Sequence, residues 1–285
     1  MKWLSLFPTL SRDGMGAIVF GLLAFIILVA PWCAPQNPYD LRTLELLDAR
    51  LSPGITGVGG HFYLLGTDGQ GRDMFSAILY GLRLSLLIAV LAAATACVLG
   101  SMVGISSAYY GGWREAVLMR LAEMQLSMPS ILVALLLVAF IGPGVVNLLL
   151  ALIMTQWAYY ARVARGFALS ERNKAYMDAA RGLRLPSYRI IAGHILPNCL
   201  SPLVIVFTQR LVAAVMLEST LSFLGVGLPI TSPSLGLLVS NGMHYIFSGD
   251  YWITFFPGFA LSGLILLMNA AGDTIQNYVN TRVID

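Results

Sequence analysis

The residues able to bind or push anything fall in three groups. The largest lies between Ala161 and Pro197, where seven of the 17 Lys and Arg residues stand in ARVARGFALSERNKAYMDAARGLRLPSYRIIAGHILP, with apolar segments on both sides. A basic stretch placed this way is retained on the cytoplasmic face of a membrane. Within it, Asn173 can cap a helix running from Lys174 to Arg181 and stopping before Pro186, and Ser187 can cap a second from Tyr188 to Ile195. The pair Ala179-Ala180 leaves little bulk at the middle of the first helix. A partner can approach the backbone there, with Asp178 and Arg181 marking its polar edge. The plain alternative is a helix lying on anionic lipid.

The second group is Gln209, Arg210 and Glu218, inside an apolar run. A cation near the bilayer centre costs roughly 2.5–3.5 kcal/mol on insertion scales. Arg210 must therefore face a bundle interior or a wet cavity. Glu218 is eight residues on, about 80° round the helix, so the two do not pair. Either Arg210 rests against carbonyls of a neighbouring span or it lines a path for an anionic group such as a carboxylate.

The third group is Asp68, Arg72 and Asp73, in LLGTDGQGRDMFSAILYG. Gly66, Gly69 and Gly71 permit positive φ, and Asp73 suits the N-cap of a short helix, Met74 to Tyr80. No metal site is expected, because Asp68, Asp73 and His61 follow no ligand spacing. His244 stands alone as a loop residue. Cys33, Cys97 and Cys199 read as small packing residues.

What positions these groups is a membrane bundle. Of 285 residues, 58% are hydrophobic and 11% charged, and mean hydropathy is +0.78. A soluble domain carries about a quarter charged residues. Six spans fit: Met15 to Ala34; Arg83 to Tyr109; a hairpin of two between Met124 and Ala161, broken at Gly142-Pro143-Gly144; Cys199 to Leu224; and Trp252 to Gly272. The first is an anchor and not a cleaved signal, since Pro31-Trp32-Cys33 offers no small-x-small site. With both termini inside, the cytoplasmic segments hold Lys2, Arg12, Arg114, Arg120, the central seven and Arg282. Outside lie only Arg42, Arg50, Arg72 and Arg83, which fixes the orientation as N-in, C-in. Arg120 and Glu123 are three apart on an amphipathic inner piece and can pair. The segment Gly225 to Tyr251, rich in Gly, Pro and Ser, reads as a partly re-entrant lid.

There is no GxxxxGK[ST] loop, no HExxH and no GxSxG, so the chain is not expected to hydrolyse ATP or to be an enzyme. Six spans are few for a two-repeat secondary transporter. A pore half needing a partner remains.

Four sets of residues then carry a resemblance, running from about Leu65 to Asp273. Asp178-Ala179-Ala180 followed by His194-Ile195-Leu196-Pro197 resembles the EAA loop of binding-protein-dependent ABC importer permeases. GTDGQGRDMFS, LSFLGVG (Leu221 to Gly227) and Asn269 with Gly272-Asp273 resemble the dipeptide, oligopeptide and nickel class, second permease of each pair. That resemblance implies an all-α type I ABC importer (MetI-like) permease with six transmembrane helices. Its layout would be an anchor and extracytoplasmic loop over 1–80, a core over 81–273 and a cytoplasmic tail over 274–285. It also implies a coupling helix at about 172–185, contacting an ATPase through Asp178, Ala179, Ala180, Arg181, Gly182 and Arg184. The implied assembly is a heterodimer with a sister permease in the bacterial inner membrane, two ABC ATPase subunits that hold the ATP and Mg, and an extracytoplasmic substrate-binding protein. No cofactor belongs to this chain and no nucleic acid is involved. Gln209, Arg210 and Glu218 would mark the translocation path, and Asp68, Arg72 and Asp73 the loop that meets the binding protein. The implied cargo is a short peptide. Nickel or a metal chelate is the alternative, since QWAYYARVARG also resembles nickel permeases, and glutathione is another. A different class would be an intramembrane enzyme or ion channel. Two departures stand out: Asp178 replaces a Glu, and Arg184 stands where the motif has Gly. If that site needs positive φ, Arg184 is strained by about 1–2 kcal/mol.

Overall fold

The computed structural model describes residues 21, 25, 29, 30, 32–40, 44–229, 231, 232 and 234–284. Most of the first expected span lies outside the described residues. The rest is nearly all helix: α1 (Met74–Tyr110), α2 (Gly112–Leu126), α3 (Ser130–Ile141), α4 (Val145–Arg172), α5 (Ala175–Gly182), α6 (Ser187–Ile190), α7 (Leu196–Phe223), α8 (Leu235–Met243) and α9 (Trp252–Ile284). A π-helical turn, Ile191–Ile195, joins α6 to α7 without a break. Among the described residues, three helices are long and apolar enough to cross a membrane: Met74–Tyr110, Ser187–Phe223 and Trp252–Asn277. The α2–α3 pair, bent by 93°, makes a fourth if it counts as one crossing. The expected hairpin differs from two plain spans. α3 has only 12 residues, about 18 Å, while α4 carries Asn147, Gln156, Arg162 and Arg165 and is amphipathic.

α1 and α4 form the centre. A Cβ on Gly100 would lie 2.3 Å from the Trp157 carbonyl oxygen, and one on Gly104 2.2 Å from that of Ala161. The two backbones therefore touch, and small residues line the seam: Ala92, Ala96 and Ala108 on one side, Ala158, Ala161 and Ala164 on the other, all buried. In an apolar phase such close approach takes the place of hydrophobic driving force. The turn into α4 follows the expected chemistry: Gly142 has φ 96°, and the Gly144 N–H donates to the Gly227 carbonyl at 3.1 Å.

The loop before α1 is folded on itself. A two-residue ladder pairs Ile55 with Tyr63 and Thr56 with Phe62. Beneath it the buried Asp48 carboxylate accepts from the Val58 N–H (2.8 Å) and the Tyr63 hydroxyl (3.0 Å). That hydrogen bond and burial, with burial the larger cause, push the Tyr63 phenol up to about 12. Trp252, at the start of α9, donates its indole N–H to the Thr67 carbonyl at 3.2 Å. Asp73 caps α1 as expected, its carboxylate accepting from the Ser76 N–H at 2.9 Å. The helix it starts does not stop at Tyr80 but runs 37 residues, about 55 Å. Gly66 and Gly71 take positive φ. Gly69 does not, and is small because the Tyr245 hydroxyl lies 2.4 Å from where its Cβ would sit.

The expected lid contains α8, nine residues capped by Ser234, with Leu235, Leu237 and Leu238 buried. Two expected caps in the central segment are corrected. Asn173 is the C-terminal cap residue of α4, its N–H bonded to the Glu171 carbonyl, and α5 begins at Ala175. Ser187 is the first residue of α6, behind Pro186, and its hydroxyl meets the Tyr109 hydroxyl at 3.3 Å. The piece expected as a separate helix, Tyr188 to Ile195, is instead the base of the long span. Pro197 explains the widened turn below it, since proline cannot donate to Gly193 and its ring crowds that carbonyl.

Candidate functional site

α5 is a short helix held down on one face and presented on the other. Met177 is fully buried and Ala180 is 6% exposed, with Met177 packed in the cluster that includes Ala168, Ile190, Ile195 and Cys199. Asp178, Ala179 and Gly182 are exposed. Polar ties lock it to the elements on either side. Lys174 pairs with Glu171 at 2.7 Å, and the Tyr176 hydroxyl donates to the same carboxylate. Asn198, in the first turn of α7, donates to the Tyr176 hydroxyl at 3.4 Å and to the His194 carbonyl at 2.8 Å. Arg172 reaches the Ala108 carbonyl on α1 at 2.7 Å. Burial works to raise the Glu171 carboxyl, but its bonds from Lys174 and Tyr176 outweigh burial and lower it. The same bond pushes the Tyr176 phenol up to about 12. α5 is thus tied directly to α4 and α7, and α4 in turn to α1.

The helix ends in a Schellman-type turn. The Leu185 N–H donates to the Ala180 carbonyl at 3.3 Å, and the residue between, Arg184, has φ 54°. Gly182 stays helical, so Arg184 itself carries the left-handed position. Arg184→Gly relieves roughly 1–2 kcal/mol of that strain while giving back about 0.4–1 kcal/mol in unfolded-chain entropy. The variant is expected to melt slightly higher in detergent. A lower melting temperature would show that the arginine side chain does more there than its backbone costs.

The span residues separate. Arg210 is half-buried, its guanidinium carbon 4.0 Å from the Tyr159 ring centroid. Both line a cavity of about 300 Å³ between α3, α4 and α7, with Ser130, Thr155, Gln156 and Thr220. Gln209 is exposed beside it. Glu218 does not line the cavity: it is fully buried, its carboxylate accepting from Ser222 at 2.8 Å and Ser219 at 3.3 Å. The 80° offset seen in the sequence is what turns it away.

The three loop residues are interior. Asp68, Arg72 and Asp73 are 6%, 1% and 3% exposed. The Asp68 carboxylate accepts from the backbone N–H groups of Gln70 (2.8 Å) and Arg72 (2.9 Å). Burial raises its carboxyl; those two bonds and the charge of Arg72 oppose the rise. They shape the loop, whose exposed residues include the apolar Leu46, Leu47, Val58, Phe62 and Leu64.

Two contacts had no signal in the sequence. Glu115 on α2 pairs with Arg165 on α4 at 2.6 Å across fifty positions of chain, and Tyr159 covers Arg210. One had a signal that went unread: Gly100 and Gly104 form G-x-x-x-G inside an apolar span. The expected Arg120–Glu123 pair is present at 3.5 Å, highly exposed, and worth only a few tenths of a kcal/mol.

Comparison with known proteins places these features. The family model described as binding-protein-dependent transport system inner membrane component matches residues 96–285. The dipeptide transport system permease protein DppC of Haemophilus influenzae is 30% identical over 94% of this chain and 90% of its own. DppC of Bacillus subtilis is 32% identical over 92% and 80%. The probable D,D-dipeptide transport system permease protein DdpC of Escherichia coli is 32% identical over 93% and 86%. Among solved structures, a chain of the inward-facing MetNI methionine ABC transporter superposes with TM-score 0.59 at 20% identity, over 73% of this chain and 98% of that one.

Proposed function

This chain belongs to the family of binding-protein-dependent transport system inner membrane components, and from that premise we propose that it is half of the translocation pore of an ATP-driven importer of short peptides. The other half would be a sister permease. Of two ATPase subunits, one would seat α5 from the cytoplasm, and an extracytoplasmic binding protein would deliver the cargo. The observation that carries this reading is the two-faced anchoring of α5. Met177 and Ala180 fix it to the bundle, Ala179 stands outward at a surface low enough for close approach, and Tyr176–Asn198 ties it to α7. Asn198 is twelve residues before Arg210, roughly 18 Å along the helix, so one rigid element reaches from the proposed ATPase contact to the cavity. Rocking of such elements is how packed bundles alternate between two arrangements. The names of the relatives favour peptides over nickel, metal chelates or glutathione. The binding protein would dock on the apolar surface of the first loop, with Asp68, Arg72 and Asp73 holding that surface in shape.

The test is reconstitution of this chain with its sister permease, ATPases and binding protein in liposomes. Labelled dialanine uptake should require ATP and the binding protein together. Uptake that proceeds without ATP, as through a channel, would overturn the reading.

A further inference from the structure

The cavity beside Arg210 holds an imbalance of hydrogen-bonding groups. Its two threonine hydroxyls are accounted for: Thr155 donates to the Leu152 carbonyl at 2.9 Å and Thr220 to the Met216 carbonyl at 2.7 Å, each within its own helix. Gln156 is not. It is 4% exposed, and neither its amide nitrogen nor its amide oxygen has a hydrogen-bond partner. An amide left so in a protein interior is destabilising until a partner reaches it. Next to it, Arg210 has an aromatic ring against its guanidinium, and among the described residues no carboxylate is ion-paired with it. The contact with Tyr159 engages the π face of that ring, which takes up none of the hydrogen-bond acceptors the guanidinium N–H groups can use. Two polar side chains, a half-buried cation and a buried amide without a hydrogen-bond partner, therefore line one small space.

We propose that this cavity is a carboxylate subsite on the translocation path, where Arg210 and Gln156 receive the C-terminal carboxylate of a peptide passing through the pore. The inference rests on the importer reading and names the chemistry of its cargo. A carboxylate matches the guanidinium edge in two parallel hydrogen bonds, and its remaining lone pairs accept from the Gln156 amide. A volume of about 300 Å³ is at the small end for ligand sites. It takes one end of an extended peptide and not a folded one. The aromatic ring moderates the grip, since a cation already stacked gains less from a new anion. A path must bind weakly enough to release.

The experiment compares dialanine with dialanine amide, which lacks only the carboxylate charge, in liposomes of fixed lipid carrying the whole transporter. Each peptide is supplied at a concentration that saturates the binding protein, established separately by titration. The maximal uptake rate of the acid should exceed that of the amide by roughly tenfold. Arg210→Gln and Gln156→Leu should each bring the two rates to within about twofold of one another by slowing the acid alone, with Arg210→Lys partly restoring the preference. If Arg210→Gln fails to assemble, Gln156→Leu decides, because it removes the unpaired amide at nearly constant volume. ATP-driven uptake with the acid-to-amide ratio unchanged in the assembled variants overturns the subsite and leaves the importer standing. That result is also what a lipid phosphate in the cavity would give. Absence of ATP-driven uptake in the unsubstituted transporter overturns the importer reading itself.

Discussion

Ala179→Trp is expected to cut ATP-driven uptake by roughly tenfold or more, the loss of a coupling free energy of 1–3 kcal/mol, while leaving yield and melting temperature unchanged. The asymmetry of α5 makes this a sharp test. Ala179 is exposed and its neighbour Ala180 is 6% exposed. An indole at 179 projects from the helix into the space a docked ATPase would occupy, and touches nothing in the bundle. At 180 the same indole would have to enter the packing under α5. Ala180→Trp should therefore lower the melting temperature, whereas Ala179→Trp should disconnect ATP hydrolysis from transport. Measured together, uptake, ATPase stimulation by loaded binding protein and thermal stability separate the two. Normal uptake in Ala179→Trp would mean that the exposed face of α5 is not a docking surface.

The largest effect on assembly is expected at Gly104. The new Cβ of Gly104→Leu would stand 2.2 Å from the Ala161 carbonyl oxygen and 3.0 Å from its Cα. Because the obstacle is backbone, no rotamer of a neighbour relieves it, and α1 and α4 must part. The cost is about 3 kcal/mol or more, and it would appear as loss of monodisperse protein on gel filtration. Gly166→Ala and Gly263→Ala are the controls. Both lie in helices with open space around the new Cβ, so each should be neutral or slightly stabilising. A Gly104→Leu protein as stable as these would remove close α1–α4 contact as the organising feature of the bundle.

Local chemistry is what the sequence made legible. The Gly142-Pro143-Gly144 turn, the Asp73 cap, the Arg120–Glu123 pair and the strained place of Arg184 are all decided within five or six residues of chain. The need of Arg210 for company followed from the cost of burying charge, whereas Ala179 and Ala180, alike in the sequence as a low-bulk pair, turn out to be one exposed and one buried. What did not show was anything settled by packing between distant helices. Gln156 reads as one polar residue in an apolar run until α3 and α7 close a cavity around it. Glu115–Arg165 joins elements whose spacing in sequence carries no information. The Asn173 and Ser187 caps failed within a residue or two: the preceding helix ran on to Asn173, and the following one began a residue early, with Ser187 inside it behind Pro186. Asp68, Arg72 and Asp73 looked like surface groups because they are charged. They are inside because their loop satisfies its own backbone through Asp68 and Asp73.

The five residues of the wide turn at Ile191–Ile195 set the phase between the two ends of the long span. One surplus residue in a turn sets everything beyond it back by about 100° relative to an unbroken α-helix. Counted without interruption from Ser187, Arg210 would arrive at the azimuth now held by Leu211, which is 4% exposed and packed with Val215 and Leu264. A charge would then point into the driest side of the bundle, and Gln209 would turn toward the cavity in its stead. The cation meets Tyr159 because the helix widened by one residue below a proline 13 positions earlier.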